Sequence, residues 1–247
     1  MAKGGRGVIG ALLSPFVPAS LGGAIEFIFE PQSSNVTGGK KVGGISQVIE
    51  LAITQLELTV LALTLSMIVA LPIGLYLGHR GTGELLAIGV GNAGRAIPEL
   101  ALIAFMAAAI GVGLLNVTIA LAVLGVPPIL TNAFVGVHQV DRAPVDAARG
   151  IGMTERKILF KVEMPLAVPT LMAGIRSATI AIVATATIAP LAGVLTLGDF
   201  IINRNVYGAD GLLAGGILVA LLALTLEFLL AGVQRLLTSK GLKVSTA

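Results

Sequence analysis

Five stretches of this chain, residues 51–78, 84–110, 114–137, 166–195 and 212–233, are long and apolar enough to cross a lipid bilayer as helices. About 20 predominantly apolar residues suffice for one crossing. A weaker sixth stretch, residues 8–29, is interrupted by Pro15, Pro18 and Glu26. Lys3 and Arg6 precede it in the manner of a signal peptide, but no small-residue cleavage site leading into a soluble domain follows. It reads as a membrane helix or an interfacial elbow helix. Only 12% of the residues are charged, about half the share of a soluble domain, and the mean hydropathy is +0.97. Lipid is therefore the solvent for much of the chain. The expected fold class is all-α, a polytopic membrane helical bundle.

Several functions are excluded by what the chain lacks. A net charge of +3, spread along the sequence, offers nucleic acid no footprint. Cysteine is absent, which removes disulfides, thiolate metal sites and cysteine nucleophiles. There is no phosphate-binding G-x-x-x-x-G-K-[ST] loop, so the chain does not bind ATP in that way. Gly89-x-Gly91-x-x-Gly94 matches a dinucleotide fingerprint in letters only, because no βαβ pattern surrounds it. His79 and His138 have no ligand neighbours at useful spacing, so both are expected on the surface and no metal site is expected. With no tryptophan and 4% aromatics, the interfacial aromatic belt is thin.

The distribution of Lys and Arg sets the expected orientation, since cytoplasmic loops are enriched in them. The densest charged stretch, residues 138–165, contains Asp141, Arg142, Asp146, Arg149, Glu155, Arg156, Lys157, Lys161 and Glu163. It falls on the same side as His79-Arg80 and the basic tail with Arg235, Lys240 and Lys243. That side is read as the cytoplasm, with both termini there; Lys40-Lys41 is the exception. The expected divisions are an N-terminal helix and outer loop over 1–44, a membrane domain over 45–236 and a tail over 237–247. Residues 198–211 read as a polar loop.

The charged stretch has a helical grammar. Pro144 suits a first helical turn, Gly150 and Gly152 can break the helix, and Thr154 can cap a second one over 155–162, ended before Pro165. A charged helical knob held between two membrane spans looks built to dock on a partner. Its residues run Asp146-Ala147-Ala148, three more, Gly152, nine more, then Val162, Met164 and Pro165. This resembles the EAA loop of binding-protein-dependent ABC permeases, Glu-Ala-Ala, three residues, Gly, nine residues, Ile-x-Leu-Pro, with Asp for Glu, Val for Ile and Met for Leu. Arg95-Ala96-Ile97-Pro98, Pro127-Pro128-Ile129-Leu130-Thr131-Asn132, Gly174-Ile175-Arg176 and Tyr207-Gly208-Ala209-Asp210 resemble the osmoprotectant branch, which imports glycine betaine, choline, carnitine or proline. The likeness covers about residues 50–233, and departs from the branch at Leu195-Thr196, where Gly-Gly is expected.

The resemblance implies a five-span type I ABC importer core plus the N-terminal helix, in the inner membrane. It implies partner ATPase subunits that hold ATP and Mg, an extracytoplasmic solute-binding protein, and a second permease copy or a paralogue. No cofactor is expected in this chain and no chemistry is catalysed by it. The ATPase would meet Asp146, Ala147, Ala148, Arg149, Gly152, Arg156 and Pro165. Amino-acid and methionine-type ABC permeases share the loop and stay open as an alternative. A stand-alone secondary transporter would need its own coupling groups and a clear internal repeat, and would leave the knob unexplained.

Ionisable groups at membrane depth face a cavity or one another. Arg95 and Glu99, four residues apart beside Pro98, therefore either line the solute path or satisfy each other within the bundle. Asn132 suits a hydrogen bond across helices, with solute contact as the second reading. Arg176 reads as snorkelling to the interface, and Glu227 as a solvated interfacial carboxylate. Gly74-x-x-x-Gly78 would permit close helix approach.

Overall fold

The computed structural model describes residues 19–34, 36 and 40–238, with the Arg95 side chain left out. Residues 8–18 of the weak first segment and the tail beyond 238 lie outside them. The described part of that segment is a helix, α1 (Leu21–Phe29), of nine residues, about 14 Å long and less than half a bilayer core. Ser20 caps it by accepting from the Gly23 N–H at 2.9 Å, and Asp210 accepts from the Ser20 N–H at 2.8 Å. Two short antiparallel strands follow, β1 (Pro31–Ser33) and β2 (Lys41–Gly43), with Gln32 opposite Val42.

The longest helix, α2 (Gly44–Arg80), has 37 residues and is about 55 Å long. It ends with His79 and Arg80 in its last turn and Gly81 in the left-handed conformation, the usual favourable charge and stop signal. The next apolar region is two helices, α3 (Glu84–Ala96) and α4 (Glu99–Ile110), meeting at 91°. Pro98 explains the break, because proline lacks an N–H and pushes the preceding residue, here Ile97 at ψ 121°, into extended backbone. Arg95 and Glu99 are therefore not one turn apart on a common helix, contrary to what their spacing suggests.

Helix α5 (Leu114–His138) carries Pro127 and Pro128 without interruption. The charged stretch forms α6 (Arg142–Gly150) and α7 (Glu155–Ile158). The sequence predicts that the second knob helix stops before Pro165; instead it widens into a π-helical turn at Leu159–Glu163 and runs into α8 (Met164–Thr185). The i→i−5 bond from the Met164 N–H to the Leu159 carbonyl shows the wider turn, which spares Pro165 the clash it would meet in a tighter helix. Residues 166–195 are likewise not one helix. After Thr185 the backbone tightens to a 3-10 stretch, Ala186–Ala192, and turns at Gly193.

Residues 198–211 are helical rather than a polar loop. They form α9 (Gly198–Ile202) and the first turns of α10 (Arg204–Leu237), which kinks at Gly208. Three of their polar side chains bond one another: Asp199 accepts from Asn203 Nδ2 at 2.6 Å and from the Tyr207 hydroxyl at 2.5 Å.

Among the described residues, four helices are long and apolar enough to cross a membrane, or five if α3 and α4 count as one broken span. The core lies where α2, α5 and α8 meet, around Leu58, Ala62, Val117, Leu121 and Ile182, all buried. Gly74 and Gly78 seat α2 on α5, because a Cβ at Gly74 would lie 2.6 Å from that of Ala133 and 2.8 Å from the Leu130 carbonyl. The Gly-x-x-x-Gly pattern is thus a helix crossing. Outward faces are apolar too: Leu221, Leu224, Phe228 and Leu229 of α10 are exposed.

Gly198 tests the packing of the 3-10 turn, since a Cβ there would run into the Thr187 carbonyl. Gly198→Ala is expected to cost about 3 kcal/mol, the upper end for overpacking, seen as a lowered melting temperature in detergent. Gly216→Ala, which meets open space within α10, should not lower it, because alanine suits a helix interior better than glycine.

Candidate functional site

The charged stretch folds as a small knob with its own core. Val145 and Ala148 of α6 and Ile158 of α7 are buried together, with Val140, Met153 and Val162 around them. Asp141 caps α6 by accepting from the Ala143 N–H at 3.1 Å. Thr154 has the extended backbone of an N-cap, without a side-chain cap bond. Pro144 lies in the first turn.

Gly152 is where the knob turns. Its φ is +83°; its N–H bonds the Arg149 carbonyl at 2.9 Å, and the Met153 N–H bonds the Ala148 carbonyl at 3.1 Å. This pair of bonds is the Schellman stop, accompanied by packing of Met153 against the cluster of Val145, Ala148 and Ile158. Glycine is needed for that backbone conformation and not for space, because a Cβ there meets nothing within 4 Å.

The outer surface presents Asp146, Ala147, Arg149, Gly152 and Arg156, all exposed, whereas Ala148 belongs to the knob core and Pro165 is half-buried at the start of α8. Arg149 grips Glu155 with two parallel bonds, Nε to Oε1 at 2.9 Å and Nη2 to Oε2 at 3.0 Å, and touches Asp146 at 3.4 Å. The hydrogen bonds from Arg149 hold the Glu155 carboxyl below the usual carboxylate range, and those to Glu155 raise the guanidinium further.

Three partners escaped the sequence. His79 is not a free surface residue: its side chain is 10% exposed and lies between two carboxylates, Nδ1 at 2.5 Å from Glu163 Oε2 and Nε2 at 3.3 Å from Glu155 Oε2. Glu163 is 2% exposed. These residues are 84 apart in sequence, and no local spacing announces the contact. Beside them an open cavity of about 610 Å³ is lined by Tyr76, His79, Arg80, Arg149, Glu155, Arg156 and Leu159. His138, also expected on the surface, stacks on Phe134 with ring centroids 5.2 Å apart.

The residues read as membrane-depth candidates are not gathered into one place. Pro98 and Glu99 are exposed at the α3–α4 break. Asn132 bonds the Pro128 carbonyl of its own helix at 2.8 Å, not another helix, on the side of α5 where Gly174 of α8 packs. Thr131, beside it, bonds the Ala87 carbonyl of α3 at 3.0 Å. Arg176 does not snorkel alone: Nε donates to Glu227 at 2.9 Å and Nη1 to Gln234 at 2.8 Å, tying α8 to α10. Glu227 is thereby a paired carboxylate, not a solvated one. Among the described residues, no group of three His, Cys, Asp or Glu side chains is arranged to hold a metal ion.

The family model of the binding-protein-dependent transport system inner membrane component matches residues 70–240, which include the whole knob. The chain belongs to this family. The glycine betaine/carnitine/choline transport system permease protein OpuCB of Bacillus subtilis is 37% identical to this permease over 189 residues, 76% of this chain and 87% of the relative. The carnitine transport permease protein OpuCB of Listeria monocytogenes is 39% identical over 183 residues, 74% of this chain and 84% of the relative. In fold, the permease resembles the MetNI methionine ABC transporter in its inward-facing conformation, with a TM-score of 0.68 and 21% identity over 79% of this chain and 98% of that one.

Gly152→Ala would force an L side chain into left-handed backbone, at a cost of about 1–2 kcal/mol. The Schellman bonds should open first. Amide exchange at Gly152 and Met153 is expected to quicken about tenfold, with exchange in α5 unchanged.

Proposed function

We propose that this permease is the membrane subunit of an ATP-driven importer of osmoprotectants, with glycine betaine, carnitine and choline as the solutes. The observation that carries this reading is the knob: a capped, exposed helix ending in a glycine stop, on a chain whose relatives bear permease names for those solutes. A partner ATPase takes α6 in a groove, meeting Asp146, Ala147, Arg149, Gly152 and Arg156, with Ala148 and Pro165 holding that surface in shape. ATP and Mg belong to the partner. The knob, and with it both termini, faces the cytoplasm of an inner-membrane protein, and an extracytoplasmic binding protein delivers the solute to the opposite end. A second permease, a copy or a paralogue, covers one exposed apolar face. The path runs past the α3–α4 break at Arg95, Pro98 and Glu99, with Asn132 on the neighbouring seam. ATP-driven closure moves the knob and the spans follow as rigid bodies.

Co-purification with the ATPase tests the docking. The variant Asp146→Lys with Gly152→Trp is expected to lose the ATPase at least about tenfold, the lower range for breaking an interfacial charge contact, with an unchanged elution profile in detergent. Retention of the ATPase would refute docking through α6. Uptake of labelled glycine betaine, carnitine and choline by the reconstituted complex, against methionine as competitor, tests the solute class.

A further inference from the structure

Helix α2 is held at two distant points by buried polar side chains. At the knob end, His79 meets Glu163 in the π-helical turn and Glu155 in α7. Towards the other end, Gln55 is fully buried. Its Nε2 donates to the Val183 carbonyl at 3.1 Å, and its Oε1 accepts from the Leu197 N–H at 3.1 Å. The Val183 carbonyl belongs to the last turn of α8 and the Leu197 N–H to the residue that precedes α9, so the 3-10 stretch and the Gly193 turn lie between them. The two clamps lie 24 residues apart on one continuous helix, which carries Pro72 between them, a distance of about 36 Å. The chain itself connects the knob directly to α5 and α8, whereas α2 meets it through side chains: His79, and the apolar cluster of Leu75, Ala133, Val137, Ala167 and Leu171 on which Leu159 and Met164 pack.

We infer that α2 is the strut that carries movement of the knob to the turn at Leu195–Leu197, with His79 and Gln55 as the positioning residues at its two ends. This rests on the proposed docking of an ATPase at the knob. A helix transmits displacement along its axis when it is fixed to a moving body at one end and to a movable segment at the other. The imidazole supplies the first fixture, because one ring has two nitrogens that address two carboxylates on the knob. The Gln55 amide supplies the second, donating with its nitrogen and accepting with its oxygen. The segment it holds is irregular backbone, a short 3-10 stretch and an open turn, which is the kind of element that can take up two arrangements. Thr196 is buried within it and bonds the Ala186 carbonyl at 2.8 Å, whereas Leu195 is 56% exposed and faces outward.

Leu195 is therefore the reporter. The chain has no cysteine, so Leu195→Cys takes a single environment-sensitive fluorophore before assembly with the ATPase in lipid nanodiscs. A non-hydrolysable ATP analogue is the probe. The labelled parent is expected to change its emission when the analogue binds. His79→Ala and Gln55→Leu should each reduce that change at least about fivefold, the low end for coupled sites, while the ATPase still co-purifies. His79→Asn, which keeps an amide donor near the place of Nδ1, should restore most of it, as loss of packing alone would not allow. The double variant should be no worse than the stronger single one, because both break the same strut. Gln55→Leu lies far from the docking face, so it stands as a separate arm if His79→Ala fails to fold. An unchanged response in either folded variant would overturn the strut, as would multiplicative losses in the double variant or a silent parent with ATPase bound. A parent that retains no ATPase would refute the docking reading itself.

Discussion

Inside a bilayer a peptide group that leaves the helical ladder finds no water to bond, so each break in a span needs a protein partner. The break between α8 and α9 shows this most fully. Gln55 takes one backbone group on each side of it, Thr196 bonds the Ala186 carbonyl, and the Gly113 N–H bonds the Ala192 carbonyl at 2.9 Å. Thr196 belongs to the break itself, whereas Gln55 and Gly113 come from distant parts of the chain. The irregular turn therefore persists only while α2, α5 and α8 are packed together, which makes it a property of the bundle and not of the local sequence.

Polar structure is concentrated at the two ends of the bundle. At one end Asp199, Asn203, Tyr207 and Gln47 form a chain, closed by Gln47 accepting from the Gly43 N–H at 2.7 Å. At the other, Asp146, Arg149, Glu155, His79 and Glu163 form a second chain. Between them the contacts are chiefly apolar, with small residues at the crossings. Such an interior has few directional bonds to fix one helix against the next, so register along the helix axes depends strongly on the ends. Helix α2 contributes to both chains, through Gln47 and His79, and no other described helix reaches both with a side chain in these networks. The least exposed bonds of these chains, His79 to Glu163 and Tyr207 to Asp199, are strong when complete and costly when broken, which suits discrete shifts between packed arrangements better than gradual deformation.

What the sequence made legible was whatever is written in local composition. The spans appeared as apolar runs, the knob as a charged helical interval, and Gly152 as a break because glycine marks left-handed backbone. The break at Pro98 follows from proline's missing N–H, although the apolar run around it reads as one span. The misreadings share a different cause. Residues 198–211 looked like a solvent loop because Asp199, Asn203 and Asp210 are polar, yet their partners are one another, Tyr207 and the start of α1. His79 looked free because Glu163 is 84 residues away. Arg176 and Glu227 were read singly, and 51 residues separate them. Polarity is visible in a sequence, but whether water or a distant side chain satisfies it is settled by tertiary packing. Pro165 reads as a stop in the sequence because the π turn that accommodates it is not encoded by any single residue type.

One cluster has the chemistry of a cation site without its geometry. Phe27, Phe200 and Tyr207 surround a common point beside the Asp199 carboxylate, the set expected for a quaternary ammonium ion. A bound cation would have to sit between the rings, within about 6 Å of each centroid. Here the rings occupy that space themselves, edge to face, with centroids 4.9, 5.2 and 6.1 Å apart. Phe27 and Phe200 are fully buried, and both Asp199 oxygens are taken by Asn203 and Tyr207. The cluster is therefore a joint that fastens α1 and α9 to the start of α10. The three rings and the carboxylate are spent on holding the fold.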